Sequence, residues 1–205
     1  MRLQYTHTVT TSARRRRDPE QTRAAIIAAL LESAQRGEFT PTTKALAERA
    51  GVSERSIFVH FPTREDLLVA LTDEQSERVE ALITTVDPGA PLSERVEAVV
   101  RQSAAVFALQ RKPRVLGLLL SPTVAAVDDR MRLADTRIRE GLARVFEPEI
   151  TRDGTRDGTR DEQLLDLIEA AAAWPVHHHL IERRAATADE AAAAVRRALL
   201  ALLRT

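Results

Sequence analysis

The chain has 205 residues, of which 44% are hydrophobic, 29% charged and only 3% aromatic, with no cysteine; disulfides, thiol nucleophiles and cysteine-based zinc sites are excluded, and a core of Leu, Ile, Val and Ala favours packed helices. Residues 1–12 lack the apolar stretch of a secretory signal, and no apolar run approaches the roughly 20 residues of a membrane helix, so a cytoplasmic globular protein with no membrane partner is expected. The formal net charge is zero, yet the first 64 residues carry 11 Lys+Arg against 6 Asp+Glu, a basic front end on an acidic body that suits one end meeting phosphate.

Residues 1–12 are polar, Thr-rich and aperiodic, and are expected to be disordered. Arg14-Arg15-Arg16-Arg17 follows, either an arm that enters a minor groove and neutralises phosphates or a solvated tail. Asp18-Pro19-Glu20-Gln21 starts a helix: Asp18 caps free amides, Pro19 loses nothing at the first helical position, and Gln21 is placed to close a capping box. Ile26, Ile27, Leu30, Leu31 and Ala34 recur at helical spacing, and Gly37 stops the helix. Residues 42–61 hold two short helices around Gly51. Thr63 caps another helix, with Asp66 reaching back. Its stripe of Leu67, Leu68, Leu71, Val79 and Leu82 runs towards a break at Asp87-Pro88-Gly89. Further helices are expected over 92–110, 113–120, 124–146, 163–184 and 188–203. Residues 151–161 read TRDGTRDGTRD, an exposed flexible loop. A calcium loop is rejected there, because the Asp spacing is wrong and each Asp has an adjacent Arg. No window alternates like a strand, so the fold is all-α with about nine helices.

The sharpest local pattern lies in residues 43–59. A helix-turn-helix crosses two helices steeply over a tight turn. The first helix needs a small residue at the close approach, which is Ala47. The turn needs a residue that tolerates positive φ, which is Gly51. The second helix needs an aliphatic residue pointing back into the angle, which is Ile57. Leu46, Ala50 and Val52 complete the apolar wall. Ser53 caps the second helix and leaves Glu54, Arg55, Ser56 and Val59 on its outer face.

The stretch TTKALAERAGVSERSIFVHFPTREDLL, residues 42–68, resembles the TetR family of one-component regulators. The matching features are Ser53 before the second helix, Phe58-Val59-His60-Phe61 at its end, and Thr63-Arg64-Glu65 opening the next helix. The resemblance implies a second helix lying in the major groove of double-stranded DNA. Arg55 and Ser56 are then the candidates for base-edge contacts. Thr42, Thr43, Lys44, Ser53, His60, Thr63 and Arg64 would hold the DNA backbone. Phe58 stands where the family commonly has Tyr; it can pack on a sugar but cannot hydrogen-bond a phosphate. The structural alternative is helix-end packing for His60 and simple capping for Thr42 and Thr63.

The expected organisation is a disordered basic arm (1–17), a three-helix helix-turn-helix head (18–64), and a helical effector-binding and dimerisation body (65–205). The resemblance further implies a homodimer on a palindromic operator, with half-sites about 34–36 Å apart. The last two helices, with Ala170 to Ala173, Ala191 to Ala194 and Leu199 to Leu203, would form the dimer face. It also implies a repressor, released when a small effector enters a pocket between the middle helices. Candidate lining residues are Phe107, Gln110, Leu116, Met131, Ile138, Trp174 and His178; ordinary core packing is the alternative for each. Trp174-Pro175 is placed to kink its helix. His177-His178-His179 invites a metal, but successive helical residues point about 100° apart and cannot share one ion; no metal or cofactor is expected. An architectural DNA-binding protein without an effector is the alternative. A helical enzyme is disfavoured, because no phosphate-cradling Gly loop, nucleophile elbow or zinc-helix motif occurs.

Overall fold

The computed structural model describes residues 18–151 and 160–204. The arginine run and most of the TRDG repeat lie outside the described residues. Every regular element among the described residues is helical, as an all-α chain requires. In order they are α1 (Pro19–Arg36), α2 (Thr43–Ala50), α3 (Glu54–His60), α4 (Arg64–Glu80), α5 (Leu92–Gln110), α6 (Pro113–Leu120), α7 (Ala125–Val145), α8 (Glu147–Ile150), α9 (Glu162–Ala172), α10 (Trp174–His178) and α11 (Ala188–Leu203). A π-helical turn, His179–Arg183, continues α10.

The helix ends follow from their terminal residues. The Asp18 carboxylate accepts the Glu20 amide at 3.1 Å, with Pro19 at the first position of α1. Gly37 takes φ +83°; its N–H donates to Ala34 O, and that of Glu38 donates to Ser33 O, both at 2.9 Å. That is the two-bond left-handed stop that glycine makes cheap. Thr63 and Asp66 form a full capping box at the start of α4: the Thr63 amide donates to Asp66 Oδ2 at 2.9 Å and the Asp66 amide to Thr63 Oγ1 at 3.1 Å. These bonds, the Thr63 side chain's first, hold the Asp66 carboxyl below the usual range.

Two cores organise the chain. The first joins Ile26, Leu30 and Leu31 of α1, Leu46 and Ala47 of α2, Ile57 of α3, and Phe61. It does not end with the expected head at residue 64. Leu67, Leu68 and Leu71 of α4, Leu116 of α6, and Val127 and Met131 of α7 belong to the same cluster. The head is therefore seated on the body through α4 and shares its core with α6 and α7. The second core joins Val96, Val99 and Val100 of α5, Leu142, Ala143 and Val145 of α7, Phe146, Ile150, Leu165 and Ile168 of α9, and Val195, Leu199 and Leu203 of α11. Arg95 is buried at its edge. Its guanidinium binds both carboxylate oxygens of Glu149 at 2.6 Å and donates to the carbonyls of Ala90 and Val145 at 2.9 Å.

The body differs from the expected helices at two places. The helix expected over 163–184 is interrupted at Ala173, whose ψ of 154° is extended. Pro175 explains the break: it has no N–H for a continuing ladder, but it is tolerated in the first turn of a new helix. The chain then restarts as α10 and widens into the π turn, closed by Arg184 N–H donating to His179 O at 3.1 Å. At the other place, the helix expected to end at Phe146 is followed by the four-residue α8, with Pro148 in its first turn. That turn carries Ile150 into the second core.

Candidate nucleic-acid interface

The turn between α2 and α3 is built as its residues require. Gly51 sits at φ +65° and donates its N–H to Glu48 O at 3.2 Å, while Val52 N–H donates to Ala47 O at 3.0 Å. A Cβ is strained in that backbone conformation. Ala47 and Ile57 are both buried in the angle between the helices. Ser53 Oγ accepts the Ser56 amide at 3.1 Å, and the two serine hydroxyls lie 2.8 Å apart. Phe61, just beyond α3, is buried against α1, with the Arg23 guanidinium 4.6 Å above its ring.

With Ile57 turned inward, the outer face of α3 is Glu54, Arg55, Phe58 and Val59, all exposed. Phe58 keeps 59% and Val59 68% of its surface in solvent, although two large apolar side chains there gain nothing from the fold. Thr42, Lys44, Ser53, Thr63 and Arg64 are likewise exposed, and Thr43, Ser56 and His60 half-buried. The expected residues thus cluster at three helix starts and along α3. Val59 was not among them; its place on the outer face was the available signal.

The polar groups of this surface are not equally free. Thr42 Oγ1 accepts the Ala45 amide at 3.2 Å, which leaves its own hydrogen for another acceptor. The Thr63 hydroxyl donates to Asp66 Oδ2 at 2.7 Å, so its hydrogen is already used. Lys44, Arg55 and Arg64 form no ion pair with a described residue. Elsewhere in the head, Arg36 pairs with Glu32 and Arg49 with Glu38. In the body, Arg130 reaches Asp73, Arg114 reaches Asp135, and Arg139 meets Glu162, Asp166 and Glu169.

Residues 26–71 match the family model of the bacterial regulatory proteins of the tetR family. The helix-turn-helix segment is therefore similar to that of the tetR-family regulators. Among solved structures, a transcriptional regulator from Rhodococcus sp. Rha1 is similar over 91% of this chain and 96% of its own, at 18% identity and a TM-score of 0.69. A Mesorhizobium loti protein assigned to the TetR-family regulators covers the same shares, at 14% identity and a TM-score of 0.68. Salmonella enterica GusR covers 92% of this chain and 98% of its own, at 21% identity and a TM-score of 0.66. No curated protein matches. These likenesses show a shared all-α fold, with a tetR-type helix-turn-helix segment within residues 26–71.

In the body, the expected effector residues separate into three places. Gln110, Leu116 and Met131 line a cavity of about 50 Å³ between α4, α6 and α7. Ile138 packs on the second core. Phe107, Trp174 and His178 belong to an aromatic stack at the break between α9 and α10. Trp174 lies 4.5 Å from His178 between ring centroids, and Phe107 lies 6.0 Å from Trp174. The buried histidine of that stack is His177, whose ring is 5.5 Å from Phe107; His179 is exposed. The restart at Ala173 sets which histidine faces inward. Among the described residues, no three His, Asp or Glu side chains gather in a metal-holding cluster.

His177 Nε2 lies 3.1 Å from Ser103 Oγ, and the Ser103 hydroxyl donates to Val100 O. Burial pushes the His177 pKa below its ordinary 6.5. The unfolded chain takes up a proton that the buried ring refuses, so this group's contribution to stability is full above pH 6.5 and falls as the pH drops below it. His177→Phe, which keeps the stack on Phe107, is expected to lose less stability on acidification. Urea midpoints at about pH 7.5 and 5.5 compare the two; equal losses would contradict the assignment.

Proposed function

We propose that this regulator is a repressor that holds a palindromic operator as a homodimer and releases it when a small molecule binds the body. The carrying observation is that Lys44, Arg55 and Arg64, on the helix-turn-helix surface, form no ion pair with a described residue. Arg55 and Ser56 then read base edges, Arg pairing with guanine. Phe58 packs on sugar. Thr42, Thr43, Lys44, Ser53, His60 and Arg64 hold the backbone, and Thr63 orients α4 by its cap. Residues 18–64 act as the DNA-binding unit and 65–205 as the sensing and dimerising one. Such a protein works where bacterial DNA lies, in the cytoplasm.

The dimer face is taken to be the outer side of α9 and α11. Leu167 and Ala170 of α9 and Ala193, Ala194 and Ala201 of α11 are exposed. Ala191, Leu199 and Leu203 are consumed in the subunit's own core, so the apolar run contributes less to this face than its composition implied.

Binding-site selection on Arg55→Ala and Arg64→Ala tests the head. Arg55→Ala is expected to cost about 1–3 kcal/mol on preferred sites and to relax choice at one position. Arg64→Ala is expected to weaken all sequences alike and to lower the salt slope by about 1. An unchanged site profile for Arg55→Ala would remove its base-reading role. One observation favours the second reading, a DNA-binding protein without an effector. The cavity of about 50 Å³ is well below the roughly 300–1,000 Å³ of ordinary ligand pockets.

A further inference from the structure

The cavity between α4, α6 and α7 contains one side chain that the fold leaves unexplained. Gln75 lies one turn beyond Leu71 and one turn before Val79, on the buried stripe of α4. It is 7% exposed, and neither its amide oxygen nor its amide nitrogen has a hydrogen-bond partner. Leucine would fill this position without the cost of an unpaired buried amide. Its cavity walls are Leu68, Leu71, Leu116 and Met131.

Apart from Gln110 at the end of α5, the other polar groups on the wall are occupied. Thr72 Oγ1 donates to Leu68 O at 2.9 Å, and Ser76 Oγ donates to Thr72 O at 3.0 Å. The Arg114 guanidinium gives one nitrogen to both oxygens of Asp135, at 2.9 and 2.8 Å. The wall therefore offers no uncompensated charge to an acid or an amine. Its buried, unpartnered amide is that of Gln75, which offers a donor and an acceptor side by side.

Met131 is one wall of this cavity. The Met131 thioether lies against the bare backbone of Gly117, where a Cβ would come within 2.8 Å of its sulfur. Methionine is the most adaptable filler of a core. Its rotation off Gly117 would enlarge the space without moving a helix.

The geometry points to Gln75 as the anchor for an uncharged ligand that presents an adjacent donor and acceptor, a carboxamide or lactam, with its apolar part displacing Met131. This rests on the effector reading above and names the ligand's chemical class. The walls Leu68 and Leu71 also belong to the head's core. Occupancy therefore presses directly on α4, whose first residue Arg64 stands at the DNA-facing surface.

Benzamide is the probe, with benzoate and ethylbenzene as matched charged and apolar comparisons, titrated into the full chain without DNA. Side-chain amide NMR shifts and thermal melting are the readouts. Wild type is expected to bind benzamide with a shift of the Gln75 amide resonance, and not to bind benzoate. Gln75→Leu is expected to melt no lower than wild type and to bind benzamide about tenfold more weakly, as the loss of paired hydrogen bonds requires. Its binding of ethylbenzene should be unchanged or stronger. Gln75→Met serves if the leucine variant misfolds. Equal benzamide binding by wild type and Gln75→Leu would overturn the assignment, as would no benzamide binding by wild type. Benzamide binding that leaves a DNA complex intact would instead count against effector-driven release.

Discussion

Arg95→Met is expected to lower the stability of the chain by about 3–5 kcal/mol, because it leaves a buried carboxylate without its partner. Arg95 and Glu149 keep 5% and 14% of their side-chain surface. The guanidinium satisfies both carboxylate oxygens and two backbone carbonyls. Methionine fills the space but satisfies none of these. The neighbouring Glu149, its bidentate hydrogen bonds first among the causes, raises the Arg95 pKa, so the arginine remains charged at any working pH. The double variant Arg95→Met with Glu149→Leu is expected to recover most of the loss, since an apolar pair of similar volume often replaces a buried ion pair without cost. Urea unfolding followed by helical circular dichroism measures both. Simple addition of the two single losses would show that the pair is not coupled.

Phe61→Ala is expected to cost about 3–5 kcal/mol, the usual loss for emptying a buried aromatic site. Phe61 caps α3 with its N–H on Ile57 O at 2.8 Å, and its ring lies under Arg23 of α1. It fixes the end of α3 to the helix behind it. Phe61→Leu should keep the fold at a cost of about 1.5 kcal/mol or less and should loosen α3 against α1. Its DNA affinity, measured where the variant is fully folded, should fall more than its stability does. Unchanged affinity in Phe61→Leu would show that α3 does not depend on this anchor for its position.

What was legible in the sequence was local chemistry. Gly37 and Gly51 were readable because only a left-handed residue ends a helix so tightly, and both take positive φ. Thr63 with Asp66 was readable because a capping box spans three residues. Ala47 and Ile57 were readable because the helix crossing fixes their spacing. Gln75 was passed over because its polarity conceals its burial, although Leu71, Gln75 and Val79 step along one face. Arg95 and Glu149 meet across 54 residues of chain, and no local pattern reports such a contact. Trp174-Pro175 was readable as a kink, but not as a full break, so which of the three histidines is buried was not. The extended Ala173 resets the phase, and His177 enters the core. The effector residues were drawn from four elements, but the packing of α5 against α10 and of α4 against α7 divides them.

The central claim is that α3 reads DNA from two copies of this chain. Its most direct test is selection of bound sequences from random duplex DNA by the full-length protein, with the mass of the complex measured in solution. The expected result is one palindromic site with half-sites about one helical turn apart, 34–36 Å, held by two chains. Recovery of no preferred sequence, or of a non-palindromic site held by a single chain, would contradict it.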